Sequence, residues 1–199
     1  MAIDGFWSDF RVEPKRKFRY LMSFNGVPQW ILKKVGRPQL SITEAEHTFV
    51  NYKFYFPGRV EYSEISLTLA DPVQPDASAT MVELLRQSGY IYPNDNFSGK
   101  VITMSKQKAV EAVGGKIYIQ QIDAEGNPIE EWALFNPWIK AVNFDELDYE
   151  SDDIVNLEVT LRYDWAELTQ VGGAKQRVSK NIGNPGAFRP GSGGSFGTG

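Results

Sequence analysis

Residues 154–165 read IVNLEVTLRYDW, and their alternation decides the fold. Val155, Leu157, Val159, Leu161 and Tyr163 fall on one side of an extended chain, while Asn156, Glu158, Thr160, Arg162 and Asp164 fall on the other. Successive side chains of a strand point to opposite faces, so this is a strand with one face buried. Upstream, Val60 to Leu69 repeats the pattern, with Ile65, Leu67 and Leu69 on one face and Glu64, Ser66 and Thr68 on the other. Trp138 to Leu147 reads as another strand. KIYIQQI (116–122) and IEEWALF (129–135) flank DAEGNP (123–128), whose Gly, Asn and Pro predict a hairpin loop.

Outward from these strands, Asp71-Pro72 ends an extended run. DASATMVELLRQSGY (76–90) then offers Asp76 or Ser78 as N-cap, Met81, Leu84 and Leu85 on one face, and Gly89 as a stop. This is the main helix; Ser105 to Val113, ended by Gly114-Gly115, predicts a shorter second one. FRYLMSFNGVPQWIL (18–32) has two β-rich halves around Asn25-Gly26 and predicts a hairpin, although Pro28 weakens its ladder. EAEHTFVNYKFYFPG (44–58) carries Phe49, Tyr52, Phe54, Tyr55 and Phe56 without separating apolar from polar faces, and Pro57-Gly58 supplies a turn. A projecting aromatic hairpin fits it better than a core helix. Hairpin-linked strands around a helix predict a mainly β (α+β) fold, an antiparallel β-barrel or sandwich with one flanking helix.

The ends differ from this middle. Residues 1–14 form an arm with Phe6, Trp7 and Phe10, and residues 170–199 form a Gly/Pro/Ser-rich extension; the domain between them covers 15–169. Half of the 18 glycines lie from Gly172 onward, together with isolated Lys175, Arg177, Lys180 and Arg189. Phe6, Trp7, Phe10, Phe49, Tyr52, Tyr55, Phe188 and Phe196 all fall outside the core strands, and such side chains call for contacts in other subunits.

Composition narrows the function. The 199 residues are 42% hydrophobic and 13% aromatic, enough for one substantial core. A net charge of −4 argues against a protein that wraps nucleic acid by neutralising phosphates. With no cysteine there is no disulfide framework, thiolate metal site or thiol nucleophile. The start lacks the basic flank and apolar run of a signal peptide, and no stretch approaches the ~20 apolar residues of a membrane span, so a cytoplasm-like compartment and no membrane anchoring are expected.

Chemistry-bearing constellations are sparse. His47, beside Glu44 and Glu46, lacks the further His or Cys ligands that a zinc-type site needs, and reads as a loop or interface residue. Asp145, Glu146, Asp148, Glu150, Asp152 and Asp153 contain possible acid/base pairs, yet they sit between two strands, where a solvated turn accounts for them. No GxxxxGK[ST] or GxGxxG follows a strand. Lys15-Arg16-Lys17 with Arg19, interleaved with Phe18 and Tyr20, suits either a nucleic-acid surface or an edge that pairs with an acidic patch on a neighbouring subunit. The second reading gives the 145–153 acids a partner. The expected site is non-enzymatic, with no catalytic residue, metal or cofactor.

HTFVNYKFYFPGRVEYSEISLTLADP (47–72), QQIDAEGNPIEEW (120–132), FNPWI (135–139) and the ELDYESDD to RYDWA region with IVNLEVTLRYDWAEL (154–168) resemble the tail tube proteins of contractile-tailed, myovirus-type bacteriophages, over most of residues 15–168. That family is related to Hcp, the tube protein of type VI secretion systems. The resemblance implies homohexameric rings stacked helically into a conduit for DNA ejection, inside a contractile sheath, in the tail of a virion assembled in the host cytoplasm. It implies as partners the tail sheath protein, the tape measure protein, baseplate and neck tube proteins, and viral DNA in transient passage. A long hairpin inserts into the next ring in that family, which maps by position onto residues 44–60, with Phe49, Tyr52, Phe54, Tyr55, Phe56 and Arg59 as inter-ring contacts. Phe6, Trp7 and Phe10 are the expected arm contacts. The extension beyond residue 172 departs from the compact family pattern.

A bore through which DNA slides should avoid phosphate-binding charge, since each neutralised phosphate adds affinity. Glu64, Ser66, Thr68, Glu158 and Thr160 are therefore the expected lumen-facing residues. Two alternatives carry their own expectations. A tube initiator or terminator at baseplate or neck would cap growth, and a nucleic-acid-binding module with a basic arm would bind DNA as a monomer.

Overall fold

The structure, a computed structural model, describes residues 13–92 and 103–171. Its first sheet contains β1 (Tyr20–Ser23), β6 (Lys116–Ile122), β7 (Pro128–Phe135) and β10 (Trp165–Gln170), in the order β1-β6-β7-β10. The second contains β2 (Leu32–Val35), β5 (Ile65–Ala70), β9 (Asn156–Arg162) and β8 (Trp138–Phe144), in the order β2-β5-β9-β8. All pairings are antiparallel. Strands β3 (Leu40–Phe49) and β4 (Tyr52–Tyr62) pair only with each other, as a two-stranded ribbon outside both sheets. Helix α1 (Ala77–Gln87) and helix α2 (Lys106–Ala112) complete the described elements, with a 3-10 turn at Gln29–Ile31.

Alternation positions the core as the sequence predicts. Ile65, Leu67 and Leu69 of β5 lie opposite Leu161, Val159 and Leu157 of β9, and all six are buried. Met22, Ile117, Ile119, Leu134 and Ala166 from the first sheet join the same cluster, as do Ala77, Met81 and Leu84 of α1 and Ala112 and Val113 at the end of α2. The result is a sandwich of two sheets flanked by helices; the expected barrel alternative does not form, because the strands divide into two separate sheets.

Helix α1 starts where two carboxylates meet orphan backbone donors. Asp76 accepts from the Ala79 N–H at 2.7 Å, while Asp71 accepts from the Ala77 N–H at 3.0 Å and the Ser78 hydroxyl at 2.6 Å. It ends at Gly89, whose φ of +102° is open to glycine at little cost. Ser105 caps α2 by accepting from the Lys108 N–H.

Several expectations are corrected. The hairpin predicted over 18–32 reduces to a single bridge, Phe24 to Val27, because β1 and β2 leave that turn for different sheets. The 60–69 run is two strands: β4 ends at Tyr62 and β5 begins at Ile65. The 138–147 strand stops at Phe144. The 154–165 run is not a single last strand: β9 ends at Arg162, and a further strand, β10, begins at Trp165 and buries Ala166 alone. The shorter second helix expected over 105–113 does form, as α2, so two helices flank the sandwich.

Candidate functional site: a projecting ribbon and an open polar sheet

The ribbon departs from the body of the protein. Every residue of β3 is exposed, and of β4 only Tyr62 is partly buried. At ~3.4 Å per residue, its 10- and 11-residue strands extend about 35 Å. Phe49 pairs with Tyr52, so the reversal falls at Val50-Asn51, and Pro57-Gly58 lies inside β4 instead of forming the expected turn. Val50 adopts φ of +54° at the tip, a left-handed conformation that a β-branched residue enters at a cost of about 1–2 kcal/mol.

Pairing creates a separation of faces that the linear sequence hides. His47 lies opposite Phe54, Ala45 opposite Phe56, and Phe49 opposite Tyr52, so strand alternation places all six on one face. Glu44, Glu46, Thr48, Lys53, Tyr55 and Pro57 take the other face, where Lys53 pairs with Glu46 at 2.9 Å. Of the expected inter-ring residues, Phe49, Tyr52, Phe54 and Phe56 thus share a face, Tyr55 opposes them, and Arg59 sits in a bulge. Two residues of β4, Gly58 and Arg59, there face Thr43 alone. Below the bulge the apolar side switches: Leu40, Ile42, Val60 and Tyr62 lie on the face that carries Glu44 and Glu46 nearer the tip.

The Thr43 hydroxyl fixes this bulge. It accepts from the Arg59 N–H at 2.8 Å and donates to the Arg59 carbonyl at 3.3 Å. A Cβ on Gly58 would lie 2.9 Å from the Thr43 carbonyl oxygen. Gly58→Val is therefore expected to open the bulge and loosen the ribbon, read as faster amide hydrogen exchange across residues 40–62 with the melting temperature of the sandwich within about 2 °C of wild type. Unchanged exchange would refute the role given to the bulge.

A second surface is the outer face of the β2-β5-β9-β8 sheet. Ser66 lies opposite Thr160 and Thr68 opposite Glu158, so these expected lumen residues come together on the side away from the core. Glu64, just before β5, pairs with Lys140 and with Arg162, the latter at 3.6 Å. Lys34 lies opposite Thr68, and Asn143 opposite Glu158. Sequence reasoning missed Lys34, Lys140, Arg162 and Asn143; strand parity alone would have found Arg162, two residues along from Thr160. The face is polar with mixed charge.

Where the strands end, polar links replace packing. Asp164 accepts from Lys106 and from Asn136, joining the β9–β10 turn to the start of α2 and to the β7–β8 turn, and these hydrogen bonds hold its carboxyl below the ordinary aspartate range. Burial alone would raise the Glu130 carboxyl, but the hydrogen bond from Lys15 and the charges of Arg37 and Lys15 outweigh it and leave it lowered. Among the described residues no group of three or more His, Cys, Asp or Glu could hold a metal ion, and no helix is long and apolar enough to cross a membrane. The acids of 145–153 lie in an exposed loop between β8 and β9. Phe6, Trp7, Phe10, Phe188 and Phe196 lie outside the described residues.

Solved chains from contractile injection systems share this fold. A chain of the anti-feeding prophage cap, described as the tube terminating cap, superposes with a TM-score of 0.57 at 18% identity, over 86% of this chain and 100% of that one. A chain of the PVC sheath-tube complex in the extended state, from an extracellular contractile injection system, gives 0.55 at 18% identity, over 79% and 93%. A chain of the six-fold symmetrised anti-feeding prophage baseplate gives 0.56 at 13% identity, over 79% and 97%. No family model matches the sequence, and no curated protein matches it.

Proposed function

We propose that this chain is the tail tube subunit of a contractile-tailed bacteriophage, a non-enzymatic protein that stacks as hexameric rings into a hollow conduit within a contractile sheath. The observation that carries the reading is the ribbon. An isolated two-stranded hairpin is marginal in water, and this one exposes aromatic and aliphatic side chains along both strands. Full burial of each is worth about 1.5–3 kcal/mol, so a neighbour that covers the ribbon gains both its surface and its order. Solved structures that share the fold belong to a sheath-tube complex, a baseplate and a terminating cap, which supports a place in such an assembly.

In this reading Phe49, Tyr52, Phe54 and Phe56 dock on the adjacent ring, and the 1–14 arm, through Phe6, Trp7 and Phe10, and the 170–199 extension add contacts to neighbours or sheath. The open polar sheet lines the bore around tape measure protein and later DNA. Glu64 pairs with its Lys140 and Arg162, and Glu158 adds a second carboxylate, so the basic charge of the face is largely offset and attracts passing phosphates less than a purely basic wall would. A repeating heterologous contact closes into rings where its rotation permits and otherwise propagates as a helix.

The likeness to a tube terminating cap favours one second reading, a terminator that ends growth. Negative-stain microscopy of the purified chain separates the two. Hollow tubes of uniform width support the tube subunit, isolated six-fold rings that never elongate support the terminator, and a persistent monomer at high concentration refutes both. Nanomolar, salt-sensitive DNA binding by the monomer would point to the nucleic-acid module instead.

A further inference from the structure

Between the β2 edge of the second sheet and the inner side of the first lies a cleft of about 540 Å³. Lys15, Lys17, Lys33, Lys34 and Arg37 line it, with Glu130 as their one acidic companion. Glu130 is 4% exposed and already engages Lys15 and Arg37, with the Trp132 N–H at 3.3 Å. Lys33 donates to Asn156 at 2.6 Å, and Lys17 and Lys34 have no carboxylate partner among the described residues. Behind these charges the walls are apolar, supplied by Val35, Ile119 and Trp132.

The opposite edge strand of the same sheet, β8, runs out into the loop DELDYESDD (145–153), which has six carboxylates and no base. Its acids bond only within the loop or to the Asn156 N–H, and among the described residues none forms an ion pair. Leu147 is 85% exposed and Tyr149 fully so. One edge thus carries a basic cleft with apolar walls, and the other an acidic loop with two unpartnered apolar side chains.

We infer that the 145–153 loop of one subunit docks in the basic cleft of the next copy of this chain, Leu147 and Tyr149 entering against the apolar walls while the carboxylates meet Lys17, Lys33 and Lys34. The inference rests on the self-association proposed above and names its lateral contact. Donor and acceptor surfaces lie at opposite edges of one sheet, so the contact is heterologous and repeats from copy to copy. A phosphate backbone would use the lysines but not the apolar walls, which favours a peptide occupant.

The test uses the full chain with exposed positions only. Lys17→Glu with Lys34→Glu reverses the cleft, and Asp148→Lys with Asp152→Lys reverses the loop. By sedimentation equilibrium, each pair alone is expected to weaken self-association about tenfold or more and to remove its salt dependence. A chain carrying all four changes, or an equimolar mixture of the two variants, is expected to recover wild-type association within about threefold. Reversals that leave association unchanged overturn the inference, and if tubes still form the tube reading survives it. Salt-sensitive association restored by the swap without any tube or ring retains this contact and defeats the tube reading. Wild-type chain that does not associate overturns both, whereas a cleft variant that loses nothing but binding to a short DNA duplex overturns the inference alone.

Discussion

Replacing Phe49, Tyr52, Phe54 and Phe56 together by serine is expected to abolish the proposed tube formation and to leave the monomer folded. The four side chains share one face of the ribbon and are between 50% and 70% exposed, so the isolated chain spends nothing on keeping them. Covering them in a neighbour is worth about 1.5–3 kcal/mol each at full burial, and each 1.4 kcal/mol is a factor of ten in association. Losing all four moves assembly beyond reach of any practical concentration. The fold survives because no residue between Leu40 and Glu61 belongs to the buried core. Tyr55→Ser, on the opposite face, is the control and has a much smaller effect. The variants are compared by electron microscopy, sedimentation velocity and thermal melting. Tubes from the quadruple variant at wild-type concentration would remove the ribbon from the assembly.

Leu161→Ala attacks the other half of the molecule and is expected to cost about 2–5 kcal/mol of monomer stability. Leu161 is 0% exposed and sits in the inner strand β9, opposite Ile65 on one side and Ile139 on the other. Strands on both sides are held by backbone pairing and cannot close over the missing methyls. For a domain of this size about 3 kcal/mol corresponds to a fall of roughly 6–12 °C in melting temperature. Binding that favours the folded state raises apparent stability by mass action, so the deficit is expected to shrink in the assembled form. A deficit below about 1 kcal/mol in the monomer would mean that the core does not depend on this strand.

What the sequence reveals follows from burial. β5 and β9 alternate because one face is dry and the other wet, and their core-facing side chains could be read from Ile65 to Leu69 and Leu157 to Leu161. Asp76 and Gly89 bracket a helix by capping chemistry that acts within a few residues. β10 escaped because an edge strand burying only Ala166 has no alternation to display. The faces of the ribbon escaped because Phe54, Tyr55 and Phe56 are consecutive, and their allocation depends on a turn at Val50-Asn51 that has no glycine. Asn25-Gly26 is a strong hairpin signal locally, but Met22 and Leu32 are buried on opposite sheets, and tertiary packing prevails. The cleft joins residues 15–39 to 119–132, a proximity no linear spacing expresses.

The bulge at Thr43 and Gly58 has a mechanical consequence. Because the apolar side of the ribbon changes over there, any surroundings that cover both patches must grip the ribbon from opposite directions at two different heights. Such a joint resists peeling, since lifting one side presses the other home, and it yields only when both seats slide together. A conduit held by joints of this kind would bear axial shock as shear shared among all its subunits, and would stay closed while the layer around it changes length.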